Sequence, residues 1–150
     1  MPVSVLDRVR SRPATTSLAA WSLLVWTTRI RNIWGDGSLS TGDKVGSTAL
    51  ALSFTVLAVA ALVTVVRSGT SRRAATLAAD LLAAWTVGVW AVRMPAILLH
   101  DHEAAFKVVH LVLAVASVAL AGLAAREAHR VRPAADDPAP APAPADATAG

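Results

Sequence analysis

The sequence predicts an all-α, polytopic membrane protein with four transmembrane helices, paired as two hairpins and followed by a disordered C-terminal tail. Of its 150 residues, 55% are hydrophobic and 16% are charged, whereas about a quarter of the residues in a soluble domain are charged. The apolar residues also form long continuous blocks, which is typical of membrane spans. Arginines gather beside these blocks, as they do at the cytoplasmic ends of spans.

Composition divides the chain into five segments. They are a basic N-terminal arm at 1–13, a first hairpin at 14–66, a basic loop at 67–73, a second hairpin at 74–132 and a Pro/Ala-rich tail at 133–150. Alternating proline and alanine favour extended polyproline II and cannot form a core, so we expect the tail to be disordered.

Each predicted hairpin contains two spans, and these run over residues 14–33, 44–66, 74–99 and 104–128. The first span is short in apolar residues, so it crosses only if Arg29 and Arg31 extend to the far interface. In the third span, Pro95 is expected to kink or loosen the last turn.

The distribution of positive charge predicts the orientation. The N-terminal arm, the loop at 67–73 and the segment at 126–132 each carry three arginines. The two opposite loops and their flanks carry five arginines and lysines, which four acids offset. We therefore expect a multi-pass protein of the cell membrane with both termini in the cytoplasm. Since Arg29 and Arg31 follow the first apolar block, where a signal peptide would be cleaved, this block is read as an uncleaved helix.

The second half of the chain repeats the first. At an offset of 64 residues, Leu18 to Trp21 matches Leu82 to Trp85, Val25-Trp26 matches Val89-Trp90, Arg29 matches Arg93, and Ile33 matches Ile97. After a slip of one residue, Lys44-Val45 matches Lys107-Val108. Tryptophan, arginine and lysine are rare in spans, so these matches predict a duplication. Both hairpins would point the same way, related by a pseudo-twofold axis along the membrane normal.

The repeated tryptophans and arginines are the candidate contacts for lipid or for a partner protein. They are Trp21, Trp26, Arg29, Trp85, Trp90 and Arg93. The spacing predicts a cation–π contact between Trp26 and Arg29. The arginines are expected to pair with loop acids, namely Asp36 or Asp43 for Arg29 and Asp101 or Glu103 for Arg93. Three interpretations stay open: interfacial anchors, an arginine pair lining an anion or lipid-headgroup site, and a partner-docking face.

Asp80 lies about two turns inside the third predicted span. An intramembrane carboxylate is costly unless it faces protein, water or a cation. Arg72, Arg73 and Arg126 are the expected partners, and a proton-coupled role is the functional alternative.

The densest polar cluster follows the third span. It contains His100, Asp101, His102 and Glu103, with His110 about two turns into the next helix. Imidazoles and carboxylates suit a divalent metal, so His100, His102, Glu103 and His110 are the candidate metal ligands. Adjacent loop residues rarely close a metal site, and a hydrated turn or a pH sensor are the alternatives. We expect no metal and no cofactor. The absence of cysteine excludes disulfides and thiolate chemistry.

The chain resembles the small four-helix membrane proteins of actinobacteria, which include septal proteins. The resemblance rests on the arginine- and alanine-rich bias, on the Pro-Ala tail and on a repeated element, Trp-x3-Val-Trp-x2-Arg, at Trp21–Arg29 and Trp85–Arg93. It implies a role associated with cell division, with enrichment at septa, and no catalysis.

The expected function is that of a non-enzymatic interaction or scaffold protein. Its partners would be the lipid bilayer and other integral membrane proteins, with a homo-oligomer as a further option. The net positive charge of the chain is explained by the positive-inside rule, so no nucleic-acid partner is expected. No phosphate loop, nucleophile–base pair or large extramembrane domain points to an enzyme. The alternatives are a small transporter or channel built from the duplicated hairpin, and an accessory subunit of a larger membrane complex.

Overall fold

The computed structural model describes residues 4–67 and 69–130, and this part of the chain is helical and contains no strand. The helices are α1 (Val5–Ser11), α2 (Pro13–Gly35), α3 (Thr41–Val66), α4 (Arg72–Leu99) and α5 (Ala104–Arg130). The predicted disordered tail at 133–150 lies outside the described residues.

Serine side chains place the starts of α3 and α4 slightly earlier than predicted. Ser40 accepts a hydrogen bond from the Asp43 N–H at 3.1 Å and donates its hydroxyl to Asp43 Oδ2 at 2.6 Å. Ser71 accepts from the Ala74 N–H at 3.2 Å. These serines satisfy N–H groups that a helix leaves unpaired in its first turn. Between the two helices, Gly69 adopts φ 85°, a left-handed conformation that glycine tolerates best.

The N-terminal arm, predicted only as a polar and basic segment, contains the seven-residue helix α1, which Ser4 caps through the Asp7 N–H. The helix α4 continues past Pro95 to Leu99, the end that the sequence predicts. The expected kink or loosening at Pro95 stays a prediction. The helix ends where His100 adopts an extended conformation and donates its N–H to the Ala96 carbonyl.

Helices α2 to α5 form a bundle in which each helix packs against the next along the chain, and α2 also packs against α5 to close the ring. Short connections make successive helices antiparallel. The connections at 36–40 and 100–103 therefore share one end of the bundle, called the loop end below. The helix α1 contacts α2 and α3. The start of α2 and the end of α5 lie at the opposite, terminal end.

The core is built mainly from alanine, with a few large side chains. Ala19, Ala51, Ala58, Ala61, Ala79 and Ala124 are completely buried. Phe54 is also completely buried, and its ring stacks on Trp26 with centroids 4.1 Å apart and planes 12° from parallel. Small residues allow helices to approach closely, which is the main source of packing energy between helices in a membrane.

Buried positions in the two hairpins correspond. Those of α2 are Thr15, Leu18, Ala19, Ser22, Trp26 and Ile33, and 64 residues later α4 buries Ala79, Leu82, Ala83, Thr86, Trp90 and Ile97. Those of α3 are Ala51, Phe54, Ala58, Ala61 and Val65, and 63 residues later α5 buries Ala114, Ser117, Ala121, Ala124 and Ala128. Only Ala75 of α4 lacks a buried counterpart in α2. Each hairpin thus turns the same face to the interior.

Three of the helices, α3, α4 and α5, are long and apolar enough to cross a membrane. The helix α2 is not among them, although four spans were predicted. Its composition explains the difference, because its 23 residues include six threonines and serines, and Arg29, Arg31 and Asn32 follow its apolar centre. Two of the hydroxyl side chains, Thr15 and Ser22, are buried inside the bundle.

Candidate functional site at the loop end of the bundle

A cavity of about 440 Å³ lies between α2, α4 and α5, towards the loop end. Five of the six predicted contact residues line it: Trp21, Trp26, Arg29, Trp90 and Arg93. His110, one of the candidate metal ligands, lines it as well. Trp85 is not among the lining residues. The cavity therefore combines cationic groups from two helices with a largely aromatic and aliphatic wall.

The cationic and titratable groups of the cavity lie at one level. Arg29 is six residues before the end of α2, Arg93 is six residues before the end of α4, and His110 is six residues after the start of α5. With a rise of 1.5 Å per residue, each backbone position lies about 9 Å from the end of its helix. The antiparallel course of the helices thus places all three at about the same depth.

Neither arginine of the cavity forms an ion pair or a hydrogen bond with the described residues. No carboxylate oxygen lies within 4.0 Å of the Arg29 or Arg93 guanidinium, and neither makes a hydrogen bond. The ion pairs predicted with loop acids are therefore not formed. Both guanidiniums are half-buried, and their like charges are close enough to act on each other. The cavity carries an excess of two positive charges that nothing in its wall compensates.

The loop acids make short-range contacts instead. Asp36 Oδ1 accepts hydrogen bonds from the Ser38 N–H at 2.9 Å and from the Ser38 hydroxyl at 2.6 Å. These two bonds, the hydroxyl first, lower the pKa of the Asp36 carboxyl below its ordinary value, and the charges of Lys44 and Arg29 act in the same direction. Asp43 is engaged by the capping serine Ser40. Asp36 and Asp43, the acids expected to pair with Arg29, therefore bond to nearby serines instead.

The two buried tryptophans of the repeat differ in their contacts. Trp26 stacks on Phe54, the contact that takes the place of the predicted cation–π pair with Arg29. Trp90 is 6% exposed, and its Nε1–H has no hydrogen-bond partner. The residue that corresponds to Phe54 in the second hairpin is Ser117, so Trp90 has no equivalent ring to stack on. An unpaired buried indole N–H is costly, and this one belongs to a residue of the cavity wall.

The other two repeated tryptophans connect the hairpins. Trp21 Nε1 of α2 donates to Ser117 Oγ of α5 at 3.0 Å, and Trp85 Nε1 of α4 donates to Ser53 Oγ of α3 at 2.9 Å. In each case the first helix of one hairpin bonds to the second helix of the other. These side chains are therefore linked by hydrogen bonds within the bundle.

The histidines at the loop end do not form a metal centre. Among the residues that the structure describes, no group of three or more His, Asp or Glu side chains could hold a metal ion. His100 Nδ1 is 2.7 Å from the Ala96 carbonyl and His110 Nδ1 is 2.9 Å from the Phe106 carbonyl. The rings of His102, Phe106 and His110 contact one another in sequence, with centroids 4.7 and 3.9 Å apart and planes tilted by 41° and 34°. Glu103 makes no side-chain bond that would join it to these rings.

Asp80 has a different partner from those predicted. Its Oδ1 lies 3.5 Å from Nε2 of His129, near the terminal end of the bundle. The predicted partners were Arg72, Arg73 and Arg126. Asp80 is far from the cavity along α4, thirteen residues before Arg93, so the structure does not join these two candidate sites.

A carboxylate at the terminal end was missed in the sequence. Glu127 of α5 accepts hydrogen bonds from the Ala14 N–H at 2.9 Å, the Thr15 N–H at 3.1 Å and the Thr15 hydroxyl at 2.8 Å. It caps α2, whose own N-cap residue, Arg12, provides no side-chain bond. One signal in the sequence could have indicated this contact. Glu127 lies near a helix C-terminus, where the helix dipole disfavours an acid, whereas the N-terminus of another helix would stabilise it.

Comparison of the chain with protein-family models, with curated proteins and with solved structures found no significant match.

Proposed function

We propose that this chain is a non-enzymatic scaffold of a bacterial cytoplasmic membrane, with four spans and both termini in the cytoplasm, which acts by contacting other integral membrane proteins. The loop end of the bundle would then face outwards.

The packing of α2 supports a fourth span. Its 23 residues measure about 35 Å, enough for a hydrocarbon core of about 30 Å. It lies between α3 and α5, so it covers faces that a three-span protein would leave open. Two of its hydroxyl side chains are satisfied within the protein, which favours a membrane position: Thr15 bonds to Glu127, and the Thr27 hydroxyl bonds to the Leu23 carbonyl. The Thr16 hydroxyl is buried without a partner.

The burial pattern supports a duplicated hairpin. The two hairpins bury corresponding positions, and the Trp21–Ser117 and Trp85–Ser53 bonds run in reciprocal directions between them. Ser117 and Ser53 are not strictly equivalent, because the 63-residue offset aligns Ser117 with Phe54. The second hairpin thus has Ser117 where the first has Phe54, and Trp90 has no ring to stack on as Trp26 does.

The observation that carries the scaffold proposal is the closed interior of the bundle. Among the described residues, every buried polar side chain is a threonine or serine, and no charged side chain is buried. Phe54, Leu18 and Leu82 fill the middle. A transporter or channel needs a polar path between the two sides, and the described core offers an alanine-packed wall instead. The exposed surface is apolar on several helices, including Val56, Val92 and Val112.

Photo-cross-linking in cells tests this proposal. A photoreactive residue placed at Val56, Val92 or Val112 samples the outward faces of α3, α4 and α5 separately. We expect one face to give a discrete adduct with another integral membrane protein and the other faces to give lipid adducts. A fluorescent fusion at the C-terminus should concentrate at division septa. A uniform fusion signal with lipid adducts on all faces would contradict the proposal, and co-purification with a respiratory complex would favour an accessory subunit.

A further inference from the structure

The cavity at the loop end contains three sets of donors with no acceptor among the described residues. They are the guanidinium groups of Arg29 and Arg93 and the buried Nε1–H of Trp90. Unpaired donors of this kind are destabilising when they are removed from water. A ligand with an anionic oxygen would accept from the arginines and offset their mutual repulsion.

The cavity also has the position and the walls of a lipid site. The helix α4 is about 42 Å long, so it exceeds a hydrocarbon core of about 30 Å by about 6 Å at each side. Arg93, about 9 Å from the end of α4, then lies about 3 Å inside the hydrocarbon boundary, and Arg29 lines the same cavity, so both long side chains can extend towards the phosphates. Leu24 and Val109 line the cavity and are 61% and 55% exposed, so it opens towards the acyl chains.

We propose that this cavity binds one anionic phospholipid of the outer leaflet, with its phosphate between Arg29 and Arg93 and the start of an acyl chain against Leu24 and Val109. Guanidinium groups bind phosphate through paired, charge-assisted hydrogen bonds. The proposal rests on the four-span arrangement above, but it does not require a protein partner.

Native mass spectrometry of the full-length protein, released from mixed micelles of phosphatidylglycerol and phosphatidylcholine, tests the proposal. We expect one retained phosphatidylglycerol per chain and little phosphatidylcholine. Arg29→Gln and Arg93→Gln should each weaken retention about tenfold. Arg31→Gln is the matched control, because Arg31 is exposed, lies two residues from Arg29 and does not line the cavity. It should leave retention unchanged.

Two further variants keep the test decisive if a glutamine variant does not fold. Val109→Trp retains both charges and fills the cavity mouth, so it should also reduce retention. Arg93→Lys keeps the charge but loses the planar pair of donors, so it should give an intermediate loss. Equal retention of phosphatidylcholine, or an equal effect of Arg31→Gln, would overturn the proposal. Displacement of the lipid by millimolar inorganic phosphate would also overturn it and indicate a site for a soluble anion. If α2 does not cross the membrane, the four-span arrangement fails, and a topology measurement shows this independently of the lipid-binding result.

Discussion

Trp21 Nε1 on α2 donates a 3.0 Å hydrogen bond to Ser117 Oγ on α5, which joins the first helix of the chain's first hairpin to the last helix of its second. The same serine donates its own proton to the Leu113 carbonyl at 2.7 Å. Its hydroxyl is thereby oriented with a lone pair towards the indole. Ser53 has the same arrangement, since it donates to the Leu50 carbonyl and accepts from Trp85.

The first prediction concerns the coupling between Trp21 and Ser117. In a double-mutant cycle with Trp21→Phe and Ser117→Ala, the interaction free energy should be about 0.6 kcal/mol and no more than about 1.7 kcal/mol. The cycle of Trp85→Phe and Ser53→Ala should give a value of similar size. Unfolding in detergent micelles measures both. Ser47→Ala is the control, because Ser47 makes no side-chain hydrogen bond in the structure. Additive effects in both cycles would show that neither bond holds the hairpins together.

The second prediction concerns the carboxylate that caps α2. Glu127→Gln keeps the side-chain volume but turns one acceptor oxygen into a donor that faces the Ala14 and Thr15 N–H groups. It should lower the free energy of unfolding by about 1–3 kcal/mol. Glu103→Gln removes an exposed acid without a side-chain contact and should change stability by less than about 0.5 kcal/mol. Thermal unfolding of the detergent-solubilised variants checks both, and equal losses would argue against the cap.

The third prediction is the pH dependence of the 36–40 connection. The pKa of Asp36 is lowered from its ordinary value of 3.8, so its ionised form stabilises the turn above that pH. This contribution is lost as the pH falls through the lower, folded-state pKa. Ser38→Ala removes the largest cause of the shift and should raise the pKa of Asp36 towards 3.8, and Lys44→Gln should raise it less. Carboxyl NMR titration in micelles measures both, and a pKa that is unaffected by Ser38→Ala would contradict this assignment.

Much of the helical architecture was predictable because apolar blocks and glycine-rich or charged breaks are local signals. The helices α3 and α4 begin two or three residues before the predicted positions, because Ser40 and Ser71 cap their first turns. Whether α2 crosses a membrane is harder to predict. Its hydroxyl residues lower its hydropathy, and their burial against Glu127 and the bundle core depends on contacts more than 100 residues away.

The candidate site was predictable in its members but not in its contacts. The repeat singled out Arg29 and Arg93 together with their tryptophans, and the fold places five of those six residues around one cavity. The partners were predicted wrongly, because Ser38 and Ser40 hold the acids that were assigned to Arg29. The pairing of Asp80 with His129 likewise depends on the register between α4 and α5, which the sequence does not encode locally.

The side of the membrane on which each connection lies tests the four-span arrangement most directly. The sequence contains no cysteine, so Ser11→Cys, Ser38→Cys, Thr70→Cys and Asp101→Cys each introduce a single thiol. In intact cells, a membrane-impermeant maleimide should label Ser38→Cys and Asp101→Cys, and it should label Ser11→Cys and Thr70→Cys only after permeabilisation. Labelling of Ser11→Cys and Ser38→Cys from the same side would show that α2 does not cross the membrane and would contradict the four-span arrangement.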